Sequence, residues 1–101
     1  MINWDRVAEL TSELGEDAFD EIIALFCDEV GAALDDLAAD PGTATRERLH
    51  FVKGSALNIG LDTVSRLCAE EETRLAADPS ATPRIAPIRD AFQVARAELT
   101  G

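Results

Sequence analysis

Apolar residues recur every three or four positions along most of this chain, and short polar or Gly/Pro stretches interrupt them. That spacing belongs to amphipathic helices. A short first helix runs from about Asn3 to Leu14, with Asn3 as its cap and Gly15 at its end. Trp4, Val7, Ala8 and Leu10 supply its apolar contacts. A long second helix covers about Asp17 to Ala39. Its stripe is Phe19, Ile22, Ile23, Phe26, Cys27, Val30, Leu34 and Leu37, and Asp40-Pro41-Gly42 breaks it. The third helix starts at a cap on Thr43 or Thr45 and reaches about Ile59, closed by Gly60. Asp62 caps the fourth, which runs to about Ala77 with Val64, Leu67, Cys68, Glu71 or Glu72, and Leu75 facing inward. The last begins near Thr82-Pro83 or at Pro87, ends by Leu99, and carries the stripe Ile85, Ile88, Phe92, Ala95 and Leu99. Short loops between long helices make neighbours antiparallel. The expected fold is all-α: an up-and-down antiparallel four-helix bundle with a short additional N-terminal helix.

The third helix stands apart because its chemistry lies away from its core stripe. With His50 at zero and ~100° per residue, Val52 and Ile59 fall at ~200° and ~180°. Ser55, Ala56 and Thr45 flank them, so this is the inner side. His50 shares the outer side with Arg46, Glu47, Lys53, Gly54, Leu57 and Gly60 or Leu61. A core imidazole is therefore not expected; the ring should face water. His50 and Lys53 are the one histidine and the one lysine of the chain, and they share a helix face. An exposed neutral imidazole is a nucleophile at cellular pH. A phosphoryl group on it would be offset by the Lys53 ammonium one turn on. Gly54 removes a side chain beside the ring, at a cost of ~1 kcal/mol relative to alanine within a helix. Leu57 lies two turns along, where the core cannot easily use it. Phe51 sits at the boundary, packed on a neighbouring helix or rimming the site. Glu47 is the nearby carboxylate that could set the imidazole tautomer, or it is simply solvated.

Composition narrows the partners. At 101 residues the chain is read as one domain, 1–101. The net charge of −11 disfavours nucleic acid and anionic membrane surfaces. No stretch approaches the ~20 apolar residues of a membrane span. Met1-Ile2-Asn3-Trp4-Asp5 lacks the basic start and apolar run of a signal peptide, so a cytoplasmic location is expected. Cys27 and Cys68 fall on apolar faces and read as buried reduced thiols. Two Cys and one His far apart make no metal-ligand spacing.

The stretch His50 to Cys68, His-Phe-Val-Lys-Gly-Ser-Ala-Leu-Asn-Ile-Gly-Leu-Asp-Thr-Val-Ser-Arg-Leu-Cys, resembles the signature of histidine-containing phosphotransfer (HPt) domains. The matching positions are His50, Val52, Lys53, Gly54, Ser55, Ala56, Asn58, Ile59, Gly60, Leu67 and Cys68. The acidic run Glu70-Glu71-Glu72 and the upstream Leu14-Gly15-Glu16-Asp17 leading into Phe19 add to the likeness. The resemblance implies that His50 is the phosphoacceptor, Lys53 its charge partner and Gly54 the clearance residue. Ser55, Ala56 and Gly60 would permit close helix contact. From their place on or beside the His50 face, Arg46, Glu47, Phe51, Leu57 and Asn58 are the expected partner-docking residues, with Asn58 turned to solvent. Phe51, Leu57 and Arg48 depart from the usual pattern; Arg48, on the inner half of the helix, would reach out of the bundle end. The implied partners are response-regulator receiver domains or a hybrid sensor histidine kinase, and the implied form is a monomer. The chain has no Gly-rich phosphate loop and no room for an ATP domain. It is expected to be a phosphocarrier, not an enzyme, with no cofactor of its own and Mg²⁺ on the receiver. The rival readings are a helical protein–protein adaptor with an incidental His50, and a small hydrolase or metal enzyme.

Overall fold

Local signals in the sequence start and stop the helices of this computed structural model, which describes residues 2–43 and 45–100. Met1, Ala44 and Gly101 lie outside the described residues, so both ends of the expected 1–101 domain do too. The Asn3 side chain accepts the backbone N–H of Arg6 and starts α1, Trp4–Leu14. Gly15 ends it with φ 82°, a conformation that suits glycine. Helix α2, Glu16–Ala39, follows at once, and a 3₁₀ turn at Pro41–Thr43 leads to α3, Arg46–Asn58. Of the two candidate caps it is Thr45 that accepts, from the Arg48 backbone N–H. Helix α4 spans Asp62–Ala77 and α5 Ile85–Thr100.

The fold is all-α, as expected. The core forms from one stripe per helix: Val7 of α1; Ile23, Cys27, Val30, Leu34 and Leu37 of α2; Leu49, Val52 and Ala56 of α3; Val64, Cys68 and Leu75 of α4; Ile85, Ile88, Phe92 and Ala95 of α5. Helix α3 packs most extensively on α4 and also touches α2, while α5 lies against α2 and α4. Two surface ion pairs, Arg89–Asp35 and Arg96–Asp28, lace α5 to α2. Each contributes at most ~1 kcal/mol. The molecule measures 44 × 22 × 19 Å. Among the described residues no helix is long and apolar enough to cross a membrane.

Five local expectations change. Trp4 and Ala8, expected to supply apolar contacts in α1, are exposed, and Val7 and Leu10 face the core. Asp62 is the first residue of α4 rather than its cap; Leu61 holds the cap position with no side-chain bond. Asp62 still suits that end, since a carboxylate there complements the helix dipole. Pro87 lies in the first turn of α5, where its missing N–H costs nothing, and Pro83 precedes the helix. Thr45 is exposed, as a cap residue at the bundle end can be, not on the inner face. Gly60 and Leu61 are buried, not on the His side, because the helix stops at Asn58 and the wheel no longer applies.

Gly60 also serves a contact different from helix packing. Its φ is +80°, and an added Cβ would stand 2.9 Å from the Asn3 carbonyl oxygen. The N-terminal segment approaches this turn closely: Asn3 N–H donates to the Gly60 carbonyl at 2.7 Å, and Ile2 bridges to Leu61. Arg6 adds a bond from Nε to the Asn58 carbonyl, covering the C-terminal end of α3. The helix that carries His50 is thus held at both ends, by Thr45 and by the N-terminal segment.

Candidate functional site

Leu49, Val52, Ser55 and Ala56 turn one arc of α3 into the core, so His50 must project from the other. Its side chain is 70% exposed. The ring is not loose. Nδ1 lies 3.1 Å from Glu72 Oε1, and the opposite oxygen of the same carboxylate accepts from Lys53 Nζ at 2.9 Å. One α4 carboxylate therefore ties together the chain's histidine and its lysine. Glu72 is only 15% exposed, which strengthens both bonds relative to open water.

Chemical consequences follow from that hydrogen bond. A neutral imidazole has one N–H, and a carboxylate only accepts. With Glu72 at Nδ1, the N–H resides there, and Nε2 keeps its lone pair directed at solvent. Attack through Nε2 leaves a positively charged substituted ring, and the Glu72 carboxylate beside Nδ1 offsets that charge.

The other expected site residues fall as follows. Lys53 is half-buried and engaged with Glu72. Gly54 lies one turn beyond His50, and an added Cβ there would meet nothing within 4 Å. Among the described residues no packing requires the glycine. Phe51 and Leu57 are 52% and 56% exposed, so Phe51 rims the face instead of filling a gap between helices. A groove lined by Ala33, Leu37, Glu47, Arg48 and Phe51 runs beside it between α2 and α3. Arg46, Glu47 and Asn58 are exposed, and the Asn58 carbonyl is taken by Arg6. Arg48 reaches back out of the helix end to the Thr43 carbonyl at 3.2 Å.

The imidazole's carboxylate partner is Glu72, not Glu47. The sequence signal for Glu72 was faint, a choice of Glu71 or Glu72 on the inner arc of α4, 22 residues from His50. Its neighbour Glu71 is spent elsewhere. It is 4% exposed and accepts from Arg74, from the Arg84 backbone N–H at 2.8 Å and from the Arg84 guanidinium. Burial pushes the Glu71 carboxyl up, but the Arg84 and Arg74 bonds outweigh it and hold it below the usual range.

Both cysteines are free and buried. Burial raises Cys27 and pushes Cys68 up to about 12, so both stay protonated and unreactive. Among the described residues no group of three or more His, Cys, Asp or Glu could hold a metal ion.

A family model described as the Hpt domain matches residues 21–98, from within α2 to near the end of α5. Neither the curated proteins nor the solved structures yield a match.

Proposed function

The chain belongs to the Hpt domain family, whose members carry phosphoryl groups on histidine in phosphorelays, and from that premise we propose that His50 is the carrier residue. The observation that supports this most is the ring's setting: exposed to solvent, with Nδ1 on Glu72 and Nε2 free.

In the proposed reaction a receiver aspartyl phosphate meets His50 in line. The Nε2 lone pair forms the P–N bond as the P–O bond to the aspartate breaks, and the aspartate leaves as a carboxylate. The Nδ1 proton stays where it is, against Glu72. Return transfer reverses each step, so the carrier both accepts and donates. Phosphoryl transfer depends mainly on positioning and charge. Here the rigid α3 supplies position and Glu72 the countercharge. Lys53, held beside the ring, has further N–H donors for the phosphoryl oxygens. Phe51, Leu57, Arg46, Glu47 and Asn58 form the face that meets the partner, and Gly54 leaves room for it.

The partners we infer are receiver domains of response regulators or of a hybrid sensor kinase. The chain acts as a monomeric cytoplasmic carrier with no ATP chemistry and no metal of its own. Mg²⁺ belongs to the receiver. Mixing the protein with phosphorylated receivers should move label onto it in an acid-labile, base-stable form. His50→Gln should take up none. Label that survives that substitution, or no transfer from any receiver of the same cell, would refute the proposal.

A further inference from the structure

This is an acidic molecule in which almost every cation is matched. Of nine Lys and Arg residues, seven form ion pairs with carboxylates at 2.5–3.5 Å: Arg6, Lys53, Arg66, Arg74, Arg84, Arg89 and Arg96. Among the described residues, the two that reach no carboxylate are Arg46 and Arg48. Both are exposed, and both stand in the first turn of α3, the helix that carries His50.

Their placement is costly inside this chain. The N-terminal end of a helix carries partial positive charge, so cations there are disfavoured and carboxylates preferred. Arg46 occupies the first position of α3 and Arg48 the third. Arg46 lies one turn from His50 on the same face. It borders a cleft toward the α4–α5 connection, with Leu75 and Pro79, while Arg48 borders the groove toward α2 with Phe51. The pair thus brackets one end of the His50 face. The neighbouring helix α2 carries eight Asp and Glu residues and no Lys or Arg. The first turn of α3 therefore carries a net positive charge, two unmatched arginines against the exposed Glu47, with an acidic flank beside it; of the pair, Arg46 shares the face of His50 and Arg48 reaches out at the helix end.

We propose that Arg46 and Arg48 are a docking pair that reads carboxylates at the rim of the receiver's active face and fixes the orientation in which it meets His50. This rests on the phosphocarrier reading and goes beyond it by naming the partner's charge pattern. The receiver should be acidic where it overlies the start of α3 and apolar where it overlies Leu57. A partner turned end for end would lose the Arg contacts. Unlike charges speed encounter and like charges reject the wrong pose.

The test compares the wild-type chain with the double variant Arg46→Glu/Arg48→Glu. Glutamates suit a helix N-terminus, so folding is not threatened. Labelling by phosphoramidate, a small donor with no docking surface, reports the acceptor alone and should be the same in both proteins. Transfer from phosphorylated receiver domains is then timed at low and at high salt. The wild-type rate constant should fall steeply with salt. The double variant should be about tenfold or more slower at low salt and nearly insensitive to salt. Arg66→Glu, on the exposed and already paired Arg66 of α4, controls for net charge and should stay within about twofold of wild type. An unchanged rate and salt slope in the double variant overturns the docking pair while leaving the carrier intact. So does an equal loss in Arg66→Glu. A wild-type chain that takes label from phosphoramidate but from no receiver overturns both readings.

Discussion

Glu71 and Glu72 are neighbours in the chain, yet they do different jobs. Adjacent helical residues point ~100° apart, and on α4 that angle separates a structural anchor from the partner of the proposed carrier histidine. Glu71 turns inward to 4% exposure, where Arg74, Arg84 and the Arg84 backbone hold it. It fastens the segment leading into α5. Glu72 turns toward α3, stays 15% exposed, and joins His50 to Lys53. The same carboxylate stabilises a fold when its partners are fixed arginines. In the proposed transfer it would tune the reaction, its partner there being an imidazole open to solvent. Stability and transfer should therefore respond separately to the two residues.

Glu71→Gln should have the larger effect on stability, a loss of about 2 kcal/mol from charge-assisted bonds. Transfer by the folded fraction should not change. The native Glu71 carboxyl lies below its unfolded value, so its contribution is complete above the ordinary carboxylate range. It is lost as pH falls through the lowered native value. The variant should show a flatter acid limb in denaturant melts taken across pH. Equal midpoints and equal acid limbs would remove Glu71 as the anchor.

Glu72→Gln should do the reverse. Its amide oxygen still accepts from Nδ1–H, but the countercharge is gone. Transfer should slow about tenfold, the rate equivalent of about 1.4 kcal/mol. Stability should fall by less than in Glu71→Gln, by about 1 kcal/mol, because Lys53 loses one charge-assisted bond. A variant that melts early but transfers normally would merge the two glutamates into one structural role.

Gly54→Ala sharpens the contrast with the smallest perturbation. Among the described residues nothing opposes the new methyl, and alanine favours helix by about 1 kcal/mol. The protein should become more stable yet transfer more slowly from receivers, and Gly54→Leu should slow it further. Faster or unchanged transfer in both would show that the clearance has no use.

The helices were legible because their stripes are strong. Ile23 to Leu37 on α2 and Ile85 to Leu99 on α5 follow one face without interruption. Caps were legible where a side chain could act alone, as at Asn3 and Thr45. The wheel of α3 placed His50 outward correctly but left out Leu49. Helix α3 packs on both α2 and α4, so its buried arc is wider than a single stripe. Gly60 and Leu61 were misplaced because a wheel extended past the last helical turn has no meaning. Glu47 is the carboxylate nearest to His50 in sequence, yet it is not the imidazole's partner. Glu72 is not visible from spacing, because only the packing of α4 on α3 brings it within 3.1 Å.

Taken alone, the order of residues settled what is decided within a few turns: helix periods, breaks at Gly and Pro, the arc on which His50 lies, and the motif around it. Those depend on repeat geometry and short-range bonding, which travel with the chain. Only the packed bundle decided which carboxylate meets His50, which cations are left unmatched, and that Gly60 must admit the Asn3 carbonyl. Each is a contact between segments far apart in sequence, set by the rotation and offset of whole helices when their stripes close on one core.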